Sequence, residues 1–139
     1  MGIIPLRLRD AVVGRAGNRC EYCGLSPLGQ EATFHIDHVV PIAAGGRTML
    51  SNLALACVSC SLRKGARQQA NDPHTQLEVP IFSPRQERWS DHFSWEGPVV
   101  IAKTPKGRAT AELLRLNRPS ILAIREEEAI LGRHPPGEE

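Results

Sequence analysis

All four cysteines of the chain fall into two Cys-x-x-Cys pairs, Cys20/Cys23 and Cys57/Cys60, and between the pairs runs HIDHVVP, with His35, Asp37 and His38. Two such pairs supply four thiolates, the set that holds zinc in a tetrahedron. With no coordination position left open, the ion's role there is structural. The residues between offer different chemistry. A neutral imidazole titrating near physiological pH can take a proton from water. A carboxylate with several waters can hold a hard divalent cation such as Mg²⁺ or Mn²⁺.

Two disulfides, or a redox-active pair, use the same cysteines. Neither pair sits in a βαβ context, which disfavours a thioredoxin-like role. MGIIPLRLRD at the N-terminus lacks an apolar stretch long enough for a signal peptide. A cytoplasmic location follows as the expectation, and in a reducing compartment paired cysteines favour zinc over disulfides.

The elements that must position these groups can be read in part. Residues 6–16 have helical spacing, ended by Gly17-Asn18. The first Cys pair forms a knuckle closed by Gly24. Residues 32–40 read as a strand, Pro41 and Gly45-Gly46 as a turn, and Leu53–Ala56 as a second strand leading into the second knuckle. Ser61 can cap a helix running to about Ala70. If the first strand bulges, Asp37 and His38 can face one cleft. Arg63, Lys64 and Arg67 on the helix are candidate phosphate contacts.

The prolines of 71–84 suggest a linker or an irregular wrap. Beyond it we expect a short helix over 85–93 with Trp89 and Phe93 on one face. A strand at Val99–Ala102 and a turn at Thr104–Gly107 follow. A helix over 111–117 capped by Thr110 and a last helix over 119–131 complete an extension over 85–133 that packs on the core. HPPGEE, residues 134–139, reads as a disordered tail. Trp89, His92, Phe93 and Trp95 are expected to form a small core.

The order C-x-x-C, D-H-x-x-P with a downstream Gly pair, N-L, and C-x-x-C with a trailing K-G resembles the HNH endonuclease family, or ββα-metal fold. The likeness is to the branch tied by two Cys-x-x-Cys pairs. It covers about residues 18–68. PRQERWSDHFSW and TPKGRATAELLRLNRP resemble a C-terminal extension of some small bacterial HNH proteins. The resemblance implies an α+β fold: a zinc-stabilised ββα-metal core over 1–70 with an N-terminal helix and a mainly helical C-terminal extension. It makes His38 the general base, Asp37 the main ligand of the catalytic cation, and Asn52 the residue that orients the histidine loop. The position after the last cysteine, usually Asn or His and a metal ligand, is Ser61 here. That departure leaves the site to rely on water or His35.

A net charge of +2 identifies no partner. Its distribution is more telling: residues 81–125 carry eight basic and four acidic side chains, whereas five glutamates stand against Arg133 from 126 onward. A basic segment before an acidic tail suits a polyanion-binding face, or is ordinary solvated charge. The reading is a Mg²⁺- or Mn²⁺-dependent nuclease acting on DNA as a monomer or homodimer. Its rivals are a zinc-stapled DNA-binding module with a degenerate nuclease site and a protein-interaction module working through the extension.

Overall fold

The computed structural model describes residues 4–137, so Glu138 and Glu139 of the expected tail, and the first three residues of the N-terminal stretch, lie outside it. The chain divides into two compact units, Met1–Arg67 and Gln68–Glu139.

The first unit is built around a hairpin. Helix α1 (Leu6–Arg15) ends where Gly17 and Asn18 take positive φ, a conformation these residue types tolerate. Its Val12 is fully buried. Arg15 reaches the carbonyls of Leu50 and Leu53 at 2.9 and 2.5 Å. Strands β1 (His35–His38) and β2 (Leu53–Ala56) pair antiparallel. β1 is shorter than its composition suggests: Val39 N–H still bonds in register to the Asn52 carbonyl, but Asn52 N–H turns back to Met49 O, and the ladder ends there. β2 is buried along its whole length, because its second edge is covered as well. The first Cys knuckle lies there, and Glu21 both donates from its backbone to Leu55 O and accepts from Leu55 N, each at 2.8 Å.

Helix α2 (Val58–Lys64) starts earlier and stops sooner than expected. Cys57 is its N-cap, its sulfur accepting from Cys60 N–H at 3.4 Å, and Gly65 ends it with φ +52°. Ser61 is therefore inside the helix and does not cap it. The Asn52 side chain ties the two ends of the long loop between the strands. Asn52 accepts from Val40 N–H at 2.8 Å and donates to the Val40 and Arg47 carbonyls at 3.0 Å. Gly46 sits so close to this chain that a Cβ there would lie 1.7 Å from Val40 O.

The second unit holds a short hairpin where the prolines suggested a linker. Its strands are β3 (Gln69–Asn71) and β4 (Glu78–Pro80). Asp72 organises its turn, accepting from His74 N–H and Thr75 Oγ1 and from Arg108 in a bidentate pair at 2.9 Å. Helix α3 (Trp89–His92) is one turn long and leads into a second hairpin, β5 (Phe93–Glu96) with β6 (Val99–Ala102).

Helix α4 (Pro105–Leu114) begins at the segment read as a turn. Thr104 is its N-cap, accepting from Gly107 N–H, and Pro105 takes the first helical position, where a missing N–H costs nothing. Thr110, expected as a cap, is buried and ties Phe82 N–H to Lys106 O. Helix α5 (Pro119–Ile130) matches its expectation closely. Trp89 stacks on Trp95 at 4.9 Å and packs against Phe93 at 5.0 Å, and Phe93 meets Phe82 edge-on. Arg125, 1% exposed, lies over the Trp95 ring and donates to Pro98 O. His134 also docks, with Nε2 2.8 Å from Gly97 O and its ring edge-on to Trp95. The tail expected to be disordered is therefore anchored at that residue.

Candidate active site and metal centre

Two knuckles bring the cysteines together. Within each, the backbone turns back on its own first cysteine: Gly24 N–H bonds to Cys20 O, and Ser61 N–H to Cys57 O. The four cysteines form no disulfide and are all buried, and their sulfurs lie within 4.8 Å of one another. A tetrahedron with Zn–S bonds of about 2.3 Å has edges of about 3.8 Å. The Cys23 and Cys57 sulfurs are 3.7 Å apart. The donor set and its spacing fit zinc.

Burial pushes the Cys20 thiol well above its ordinary value, while hydrogen bonds from the surrounding thiols hold Cys57 below it. Four thiolates in so dry a place need a dication to balance them. This four-cysteine metal-binding cluster belongs to an α+β unit of short antiparallel strands and helices.

β1 carries the other groups on alternating faces. Its register is regular, Asp37 opposite Ala54 and His38 opposite Leu53, with no bulge. The expectation that a bulge turns Asp37 and His38 into one cleft is corrected: successive strand residues point to opposite faces. His35 and Asp37 meet helix α2, and His38 turns toward the Asn52-held loop. The His38 ring is half-buried, with Nε2 2.9 Å from Thr48 Oγ1.

On the helix side, His35 Nδ1 is 2.8 Å from Ser61 Oγ. Asp37 is 8% exposed and Lys64 only 1%. The Lys64 ammonium lies 3.2 and 3.4 Å from the two Asp37 oxygens and donates to the His38 carbonyl at 3.1 Å. Tyr22 donates to Asp37 Oδ2 at 2.8 Å. Burial pushes the Asp37 carboxyl above the usual carboxylate range, and the Lys64 charge and the Tyr22 hydroxyl pull it part of the way back. Burial also drives the Tyr22 phenol well up, so it stays a hydrogen-bond donor at neutral pH.

The sequence expectation puts Lys64 at a phosphate. In this structure it is buried against Asp37, because α2 aims it inward, one turn beyond Ser61 and Cys60. Arg63 and Arg67 are exposed, with Arg63 Nε on Ser59 Oγ at 3.1 Å. The spacing holds a clue: Cys57, Cys60, Ser61 and Lys64 recur at helical intervals and share the face that carries the cage. Tyr22 and Thr48 carry no such signal, since only folding brings them to Asp37 and His38.

The basic residues of the second unit are partly taken up internally. Lys106 pairs with Glu87, Arg108 with Asp72, and Arg125 lies over the Trp95 ring. His92 bridges Glu87 and Thr104, which makes it a packing residue of the aromatic cluster.

Residues 20–67 match the HNH endonuclease family. The Septu protein PtuB of Bacillus thuringiensis is 23% identical over 113 residues, covering 80% of this chain and 41% of that protein. The chain thus spans about two fifths of the length of this curated relative. The first unit is shorter than that match, so the likeness reaches into the second. No solved structure matches the chain. No helix among the described residues is long and apolar enough to cross a membrane.

Proposed function

We propose that the HNH endonuclease domain this chain carries at residues 20–67 hydrolyses DNA phosphodiester bonds, with His38 as general base. The observation that carries the reading is the placement of His38. A half-buried imidazole stands at the end of a strand that a thiolate cage and an asparagine-held loop fix on either side. His38 takes the proton of the attacking water. Thr48 holds the ring and Asn52 holds the loop that sets its direction. Arg63 and Arg67 contact phosphates of the substrate strand.

The donors on the α2 side of β1 are of the kind a hard cation takes: the Asp37 carboxylate, with the His35–Ser61 pair further along the same face, the remaining positions going to water and substrate oxygen. Bound there, on the face of β1 opposite His38, Mg²⁺ or Mn²⁺ would neutralise charge on phosphate oxygens that reach the α2 side.

The test is plasmid cleavage with and without Mg²⁺ or Mn²⁺. Replacing His38 by Ala should lower the rate about 10²–10⁴-fold, the range for loss of a general base, with zinc content unchanged. A His38→Ala protein that cuts like the parent refutes the assignment. Because the chain has one such site, cutting both strands at once calls for two copies.

One observation favours a second reading, a zinc-stapled DNA-binding module. Ser61 replaces the expected Asn or His, and Asp37 is already neutralised by Lys64. Under that reading the parent binds DNA without cutting it, and Ser61→Asn brings cleavage back.

A further inference from the structure

The acceptors around Lys64 are all oxygens: both carboxylate oxygens of Asp37 and the backbone carbonyl of His38, at 3.1–3.4 Å. Oxygen ligands of this kind, one carboxylate and one carbonyl, are what a hard divalent cation takes. A lysine 1% exposed is rare and is found paired. Here the pair sits directly behind His38. An ammonium and a metal ion cannot both occupy this cradle, because like charges a few ångströms apart in a dry environment repel strongly.

We infer that Lys64 is the resident cation of the Asp37 site, so that a divalent metal binds only by displacing its ammonium, and that Lys64 thereby sets the metal affinity of the site. This rests on the reading of Asp37 as the metal ligand. A buried ion pair exchanged whole for apolar groups changes stability little, but removing one partner strands a buried charge and destabilises the fold, so each single variant is compared only where its fold is intact. The side chain is long enough to leave, and α2 ends at Gly65 immediately after it.

Two measurements on the full, zinc-loaded chain test this. In the first, Mn²⁺ affinity is read by electron paramagnetic resonance for the parent, Lys64→Met and Asp37→Asn, each checked for zinc content and folded circular dichroism. Lys64→Met should bind Mn²⁺ about 5–150-fold more tightly, the usual range for two coupled binding events. Asp37→Asn should abolish that binding.

The second uses the parent protein, so it does not depend on a variant folding. Acetylation of Lys64 by a water-soluble acylating reagent, followed by mass spectrometry, should be slow without metal and accelerate at saturating Mg²⁺. Protection of Lys64 that persists at saturating Mg²⁺ overturns the inference, as does a Lys64→Met protein with parental Mn²⁺ affinity. Mn²⁺ binding that survives Asp37→Asn refutes the metal reading of Asp37 itself, whatever Lys64 does.

Discussion

Cys57→Ser separates the two roles of one residue and measures what the cage does for the fold. Cys57 caps α2 through its sulfur and contributes one of four thiolates. Serine is a good N-cap, so the substitution keeps a helix-capping acceptor and removes only the thiolate. The magnitude follows from how little else the first unit has. Its hairpin has four residues per strand and α2 has seven residues. A two-stranded hairpin alone is marginal in water, and a core of this size supplies about 3–5 kcal/mol. Structural zinc in small domains is worth about 10–16 kcal/mol, several times the margin.

The expected outcome is loss of bound zinc and of amide protection in β1, β2 and α2, with no folded intermediate. Spectroscopy can follow each unit, because the single tyrosine, Tyr22, lies in the first unit and both tryptophans lie in the second. Zinc is read by elemental analysis and protection by hydrogen exchange. A Cys57→Ser protein that keeps one zinc per chain, or keeps its strand amides protected without zinc, refutes the view that the cage holds this unit together.

Gly46→Ala should cost about 1–3 kcal/mol or more, the range for overpacking, because the new methyl meets the Val40 carbonyl at 1.7 Å; a thermal melt of the zinc-loaded protein reads it. The Asp72–Arg108 pair predicts acid sensitivity. Hydrogen bonds from Arg108 hold the Asp72 carboxyl well below the usual range, so its stabilisation is complete above the unfolded value of about 3.9 and fades as pH falls through the lower folded one. The second unit should therefore melt earlier below about pH 4, and Asp72→Asn should flatten that dependence. Replacing Arg63 and Arg67 by Gln should weaken DNA binding and reduce its salt slope by about 1 for each phosphate that is no longer neutralised. An unchanged slope removes both arginines from the interface.

Some of this protein is fixed by local chemistry and can be read without coordinates. Two Cys-x-x-Cys pairs close knuckles by themselves, so the cage is legible from spacing. The end of α1 and the start of α5 are legible as well, because Gly17-Asn18 and Pro119 act on their own backbone. The same local reasoning fails where a residue has two possible partners. Ser61 and Thr110 have the side chains of caps, but Cys57 and Thr104 do that work, and Ser61 and Thr110 bond to His35 and to Phe82 instead. The hairpin over 69–80 is hidden by its prolines, because its stability comes from Asp72 gripping Arg108 from 36 residues away.

The same division runs through the site. The sequence alone determined which side chains can do chemistry, His38, Asp37 and the four cysteines, since that depends on residue type and order. Tertiary structure decided what each one faces. A strand without a bulge sends neighbours to opposite sides, so His38 went to Thr48 and Asp37 to a buried lysine on α2. A carboxylate's partner is set by what the fold packs against it at about 3 Å, and no count along the chain contains that distance.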